Sequence, residues 1–143
     1  MKFINWVGAI LAFSLALVSL HALASDASAA KEKVVIQVSD ADPGKWNLAL
    51  NNAKNVQQML GADNVDLEIV VYGPGISMLK ADSAVGNRVD EAKKSNITIV
   101  ACENTMKAMK LTSADMLPNT SFVPAGIVEI IKKERAGYVY IRP

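Results

Sequence analysis

Short apolar runs that lack a helical period recur along the sequence, and segments with helical spacing separate them. The clearest runs cover residues 34–38, 67–72 and 97–101, and an alternating run at residues 138–142 comes last. Runs of this length that are rich in Val and Ile are typical of buried strands. Strands that alternate with helices form right-handed βαβ units, which build parallel sheets covered on both faces. The chain is therefore predicted to fold as an α/β three-layer sandwich, flavodoxin-like, with a mostly parallel sheet of four or five strands.

Capping residues and apolar spacing predict the helices between these strands. Asp42 followed by Pro43 is typical of an N-cap with proline in the first turn, so one helix is expected over residues 43–60, ending before Gly61. Further helices are expected at residues 85–94, from residue 104 or 105 to 110, and at residues 125–135. The residues expected to face inward in the last two helices are Met106, Met109, Val128 and Ile131, with Ile127 as a further candidate.

The first 24 residues have the three parts of a secretory signal peptide. Lys2 provides a charged start, residues 3–20 carry no charge, and Ala22 and Ala24 frame a small-x-small cleavage site. Cleavage there predicts a periplasmic or secreted protein, with residues 25–33 as a flexible leader and residues 34–143 as a single α/β domain. The alternative is an uncleaved anchor, because the uncharged stretch approaches the roughly 20 residues that span a bilayer.

Cleavage after Ala24 limits the chemistry that is open to the rest of the chain. It removes Lys2 from the 15 basic residues, so that 14 would balance the 14 acidic ones, and it removes the only histidine, His21. A balanced charge argues against nucleic acid and, after cleavage, against membrane surfaces as partners. The loss of histidine excludes Ser-His-Asp and Cys-His catalysis and histidine metal sites. Since the chain also lacks a dinucleotide fingerprint, neither a metal nor another cofactor is expected.

Cys102 is the only cysteine, and it follows the apolar run at residues 97–101. In an exported protein it is either buried and inert, paired with another chain, or kept as a reactive thiol. Backbone N–H groups where a strand turns into a helix can stabilise a thiolate, with Lys107 or Lys45 as further candidates for this role. Glu103 next to it would raise the pKa of the thiol. The alternative is a cysteine that fills a small hole in the core.

Three loops follow the carboxyl ends of the first three predicted strands and are expected to share one edge of the sheet, where α/β proteins bind ligands. They cover residues 39–44, the turn at residues 73–75, and residues 102–105. Asp40 and Asp42 can be interpreted as an acid and base pair or, alternatively, as helix caps. The predicted ligand-binding residues around a catalytic Cys102 are Asp40, Asp42, Lys45, Tyr72, Gly73, Gly75, Asn104 and Thr105.

With these loops identified, the chain resembles the DsrE/DsrF-like family of small sulfur-relay proteins. The motifs that carry the resemblance are residues 39–43 with Trp46, residues 50–52, residues 72–75, residues 101–106, and the stretch from residues 124–126 to residues 140–143. The resemblance implies a three-layer sandwich that assembles into homo-oligomers, trimers or hexamers. It also implies a cysteine after a central strand that holds sulfur as a persulfide, and Cys102 matches that position. A small sulfur species or a sulfur-donor protein would be its partner.

Two functions are therefore expected for this chain. The first is a periplasmic sulfur-binding or sulfur-transfer protein that carries a persulfide on Cys102. The alternative is a non-catalytic oligomeric binding or assembly module in which Cys102 is structural and buried.

Overall fold

Five strands form one sheet in the order β4-β3-β2-β1-β5, and every neighbouring pair is parallel. The computed structural model describes residues 30–143, so the predicted signal peptide and most of the predicted leader lie outside the described residues. The strands are β1 (Glu32–Val38), β2 (Val65–Val71), β3 (Thr98–Cys102), β4 (Ser121–Val123) and β5 (Val139–Ile141). The helices are α1 (Pro43–Leu60), α2 (Gly86–Lys94), α3 (Glu103–Ala108) and α4 (Gly126–Arg135), with short 3-10 helices at Ala62–Asn64, Gly73–Leu79 and Ser113–Asp115. The predicted α/β sandwich with a parallel sheet is confirmed.

The two faces of the sheet are covered unequally. Because side chains alternate along a strand, one face presents residues such as Ile36 and Ile69, which pack beneath α1, α2 and the 3-10 helix Gly73–Leu79. The opposite face presents Val35, Val70 and Val100, which form a small cluster with Ile130 of α4. We call this second surface the α4 face, and it has a single helix above it among the described residues.

The first helix has the bounds that the sequence predicts. Asp42 is its N-cap and accepts a hydrogen bond from the Gly44 N–H at 2.8 Å, while Pro43 occupies the first turn. The capping interpretation of Asp42 is therefore confirmed. Trp46 and Leu50 are buried from this helix, which ends before Gly61 at a φ of +89°. The glycine can adopt this positive φ because it has no Cβ.

Three local predictions are wrong. Met109 is exposed, because α3 ends at Ala108 and does not continue through residue 110. The turn at residues 73–75 is the start of the 3-10 helix Gly73–Leu79, because Pro74 sits in the first turn, where no N–H is needed, and Gly73 has a φ of +54°. In α4 the apolar residues Ile127, Val128 and Ile131 are exposed, and Gly126 and Ile130 are buried instead.

Since all strands are parallel, the loops after β1, β2 and β3 leave the same edge of the sheet, as predicted. The strand order reverses between β1 and β5. Cys102 at the end of β3 therefore lies two strands away from the reversal point, on the α4 face with Val100.

Candidate functional site

Cys102 is both the last residue of β3 and the N-cap of α3. Its Sγ accepts a hydrogen bond from the backbone N–H of Thr105 at 3.4 Å. The residue is 5% exposed, so its thiol lies just beneath the surface of the single chain. A cysteine in an N-cap role receives the N–H groups that a helix leaves unpaired at its start, and these groups favour the thiolate over the thiol.

Two hydrogen bonds attach the start of α3 to the neighbouring loops. The Thr105 hydroxyl oxygen accepts a hydrogen bond from the N–H of Gly73, at 2.9 Å, at the end of β2. The N–H of Asn104 donates to the carbonyl of Pro124 at 3.2 Å, in the connection between β4 and α4. The predicted residues Thr105, Asn104 and Gly73 are thus brought together around Cys102 by bonds that span three loops.

Gly126 and Tyr72 complete the immediate surroundings of the thiol. Val71 pairs with Ala101, so the next residues along these two strands, Tyr72 and Cys102, lie side by side. Gly126 is buried at the start of α4, and a Cβ on it would lie 3.0 Å from the Cβ of Tyr72. Because a larger residue would push the two elements apart, this glycine allows the α4 backbone to pack against Tyr72, beside the thiol.

The pKa of the Cys102 thiol lies below its ordinary value. Burial raises the pKa, but the Thr105 hydroxyl and the backbone N–H groups of Gly126, Thr105 and Asn104 lower it by a larger amount. None of the principal influences comes from Glu103, which the sequence predicts to raise the pKa, or from Lys45 and Lys107. The Thr105 N–H, which donates to Sγ, is therefore among the groups that favour the thiolate, and the thiolate is the form of cysteine that acts as a nucleophile.

The other predicted ligand residues lie further along the same edge. Asp40 forms ion pairs with Lys45 at 3.3 Å and with Arg142 at 3.8 Å, and its carbonyl accepts a hydrogen bond from the Trp46 indole at 2.7 Å. Lys45 is thus paired with Asp40. Asp42 is used as the cap of α1 and does not join the thiol site.

Tyr72 links this group of charges to the thiol. Burial and the neighbouring Tyr140 raise the pKa of the Tyr72 hydroxyl, Arg142 lowers it, and the negative charges of Asp40 and Cys102 raise it further. The phenol therefore lies within electrostatic reach of both the thiol and the Asp40–Arg142 pair. Its raised pKa keeps it protonated at neutral pH, as a hydrogen-bond donor.

Gly75 has a structural role behind the site. Its N–H donates to the carbonyls of Ser39 at 3.1 Å and Tyr72 at 3.2 Å, which ties the loop after β1 to the loop after β2. The residue is buried, and a Cβ on it would lie 2.6 Å from the carbonyl oxygen of Val38.

Sequence reasoning missed Pro124, Gly126, Tyr140 and Arg142 as neighbours of the site. Residues 124–126 and 140–143 are among the motifs that carry the family resemblance, and this was the sequence signal that could have identified them as neighbours of the site. No periodicity indicates that the start of the fourth helix approaches the third strand, because this contact depends on how α4 crosses the sheet.

The cavity next to α3 does not reach the thiol. A cavity of about 210 Å³ between α3 and β4 is lined by Glu103, Met106 and Phe122, and Cys102 does not line it. With 5% of the residue exposed, the thiol can be approached by a reagent of a few atoms more readily than by a bulky substrate.

Two features are absent from residues 30–143. No helix in this range is long and apolar enough to cross a membrane. No three His, Cys, Asp or Glu side chains in the same range converge as metal ligands would.

Comparisons with known proteins place this architecture among its relatives. The model of the DsrE/DsrF-like family matches residues 32–143. No curated protein matches. Among solved structures, MTH1491 from Methanobacterium thermoautotrophicum, described as a protein of unknown function, is 28% identical with a TM-score of 0.75, over 79% of this chain and all of that one (100%).

Two more distant structures share the fold. The ychN protein from E. coli is 13% identical with a TM-score of 0.65, over 78% of this chain and 99% of that chain. BT1422 from Bacteroides thetaiotaomicron, described as a conserved protein of unknown function, is 18% identical with a TM-score of 0.64, over 78% of this chain and 95% of that chain.

Proposed function

Because the chain belongs to the DsrE/DsrF-like family, which suggests a role related to sulfur relay, we propose that it binds or transfers sulfur as a persulfide on Cys102. The observation that carries this proposal is the set of donors around the thiol. One hydroxyl and the N–H groups of three residues, Gly126, Thr105 and Asn104, hold the pKa of Cys102 below its ordinary value in spite of burial. Such an environment favours a thiolate that is partly shielded from bulky oxidants and still within reach of small sulfur species.

The proposed step needs no cofactor. The Cys102 thiolate attacks the terminal sulfane sulfur of a polysulfide, so that one S–S bond forms at Sγ and one S–S bond of the donor breaks. The shortened polysulfide leaves with the electron pair of the broken bond. The sulfur that remains on Cys102 is an anionic persulfide, and the same N–H donors can stabilise its charge.

We propose a periplasmic or secreted location for this chemistry. The support is the signal-like pattern of residues 1–24, which lie outside the residues that the structure describes. Outside the cytoplasm an exposed thiol tends to be oxidised, so the low exposure of Cys102 would preserve it between reactions.

Mass spectrometry of the intact protein tests the proposed function. The protein is taken from the periplasmic fraction of a Gram-negative host, where the mass also shows whether residues 1–24 have been removed. After exposure to polysulfide, the wild type is expected to gain sulfur that dithiothreitol removes, and Cys102→Ser is expected to gain none. Sulfur retained by Cys102→Ser, or a wild type that gains none, would contradict the proposal.

One observation favours the second function, a binding or assembly module with a structural cysteine. Cys102 is buried, and a buried cysteine commonly serves packing alone. This function predicts that the wild type gains no sulfur and that iodoacetamide labels Cys102 only after denaturation. Labelling of the native protein, faster than that of an ordinary thiol at neutral pH, supports the sulfur carrier instead.

We also propose that the chain forms a homo-oligomer, a trimer or a hexamer, through the outer surface of α4 and the edge strand β5. Ile127, Val128 and Ile131 of α4 are 52%, 45% and 41% exposed, and Tyr140 of β5, which pairs with Val35 on the α4 face, is 39% exposed. Since α4 and β5 are in contact, the exposed apolar side chains of α4 and the Tyr140 ring lie on the same side of the sheet. Contiguous apolar surfaces of this kind mark protein interfaces, and a second copy of the chain is the occupant that the family resemblance implies.

A single charge on this surface is expected to break the assembly. Wild type should show the mass of three or six chains by light scattering, and Val128→Lys should shift the mass toward that of one chain, because a lysine cannot be buried unpaired. Met59→Lys is the control, since Met59 is 83% exposed on α1, away from the proposed interface. A wild type that is monomeric, or a Val128→Lys variant with the wild-type mass, would contradict this interface.

A further inference from the structure

A buried ion pair joins α4 to the middle of the sheet. Glu68 of β2 is 4% exposed, and its Oε2 lies 2.7 Å from the Nζ of Lys133 in α4. The other carboxylate oxygen, Oε1, is buried without a hydrogen-bond partner among the described residues. Glu68 lies on the α4 face, like Val70 and Tyr72 on the same strand. The proposed sulfur chemistry does not use this pair.

The pair is a poor source of stability. Burying two charges costs solvation free energy that their attraction only partly returns, and apolar residues of the same volume are often equally stabilising. The unpartnered oxygen adds to that cost. The best-attested advantage of such a pair is that it selects one arrangement of the elements it joins.

Few buried side chains of α4 determine how this helix lies on the sheet. Its buried residues are Gly126 and Ile130, while Ile127, Val128 and Ile131 face outward. Apolar contact is non-directional, so one buried isoleucine specifies the position of the helix on the sheet only weakly.

The surroundings of Lys133 restrict it to a single position. Its Nζ lies 4.7 Å from the centre of the Tyr138 ring, and the Tyr138 hydroxyl donates a hydrogen bond to Asp66 of β2. Asp66 and Glu129 are the other negative groups near Glu68, and both favour a cation at this point. Lys133 is therefore held from β2 and from the segment before β5.

We propose that Glu68 and Lys133 are positioning residues: by fixing α4 on the sheet, their ion pair keeps the backbone of Gly126 against Tyr72 and the neighbouring Cys102. Gly126 is the first residue of α4, and Lys133 lies two turns further along the same ten-residue helix. A helix of this length moves as one body, so a displacement at Lys133 carries the Gly126 backbone away from Tyr72, which lies beside Cys102. The inference rests on the proposed function only in that it concerns the same thiol.

The test measures the pKa of Cys102 from the pH dependence of iodoacetamide alkylation in the absence of any sulfur donor. Both Glu68→Gln and Lys133→Met are expected to raise this pKa and to slow alkylation at neutral pH about three- to tenfold, because each releases α4. A direct charge effect would give opposite signs, since removing a negative charge stabilises a thiolate and removing a positive charge destabilises it. Opposite signs would therefore overturn the proposal, as would two unchanged pKa values.

Two further variants complete the experiment. Glu68→Leu with Lys133→Leu removes the pair without leaving an unpaired charge, so it should fold, and it is expected to raise the thiol pKa as the single variants do. Lys132→Met is the matched control on the same helix, because Lys132 is 64% exposed in a 3.7 Å pair with Glu129. A wild-type pKa in the double variant, or an equal shift in Lys132→Met, would contradict a positioning role.

The outcome does not depend on sulfur transfer. If the wild type takes up no sulfur but its thiol pKa follows the Glu68–Lys133 pair, the proposed function fails and the positioning role stands. If the wild type takes up sulfur but its thiol pKa does not change when the pair is removed, the proposed function stands and the positioning role fails.

Discussion

Lys133→Met is expected to lower the free energy of unfolding by about 3 kcal/mol at pH 7, because it leaves the buried Glu68 carboxylate without its cation. The side chain of Glu68 is 6% exposed and that of Lys133 is 21% exposed, so solvent screens the pair only weakly. Denaturation by urea, followed by circular dichroism, measures the change.

The loss should shrink at acid pH. Burial raises the pKa of Glu68 above its ordinary value even though Lys133 opposes this, and removal of Lys133 raises it further. A carboxyl group whose pKa is higher in the folded state binds its proton more tightly there, so folding gains stability as the pH falls through that pKa. The deficit of Lys133→Met relative to wild type should therefore decrease below neutral pH.

The control for this prediction removes both charges together. Glu68→Leu with Lys133→Leu is expected to unfold at a urea concentration close to that of wild type, since apolar residues commonly replace a buried ion pair at little cost. The exposed Lys132→Met should change the stability by about 0.5 kcal/mol or less. An unaltered stability for Lys133→Met would show that Glu68 is already hydrated or protonated in the folded protein.

Gly75→Ala is expected to destabilise the protein by about 2–3 kcal/mol through overpacking. A Cβ at this position would lie 2.6 Å from the carbonyl oxygen of Val38 and 3.0 Å from the Cα of Ser39. Both atoms belong to the backbone at the end of a central strand, so no side-chain rotation can relieve the contact. The loop after β2 must move away from the loop after β1.

Gly44→Ala is the matched control for this substitution. Its added Cβ would lie 3.1 Å from the Oδ1 of Asp42, which is the end of a movable side chain in the exposed first turn of α1. Its effect should stay below about 1 kcal/mol, because the gain in helix propensity offsets part of the crowding. Urea denaturation of the two variants side by side measures both effects. Equal free energies of unfolding would show that the backbone around Gly75 can move to accept a Cβ without loss of stability.

The fold could be predicted from local sequence because its elements depend on near neighbours. β-branched runs become buried strands wherever both faces are covered, and the cap at Asp42 with Pro43 starts α1 at the expected residue. The thiol was placed correctly at a strand-to-helix junction, and the hydrogen bond from Thr105 to Cys102 follows from that local geometry.

The wrong predictions for α4 concern which side of the helix packs against the sheet. Apolar spacing in α4 predicts that Val128 and Ile131 are inside, but helical period alone does not tell which apolar stripe meets the sheet. The buried Glu68–Lys133 pair fixes a different face, and this leaves the apolar side chains outside.

The sequence by itself determined the strands, the helices and the thiol between β3 and α3, because these depend on residues close together in the chain. Their alternation along the chain then favours a parallel sheet, with the thiol at its carboxyl edge. Only the tertiary structure decided what surrounds that thiol. Gly126 is 24 residues from Cys102 and Tyr72 is 30 residues away, and they meet because β2, β3 and α4 pack together. Hydrogen bonds across such separations depend on the crossing of α4 over the sheet, which long-range contacts determine. The lowered pKa of Cys102 is therefore a property of the packed domain.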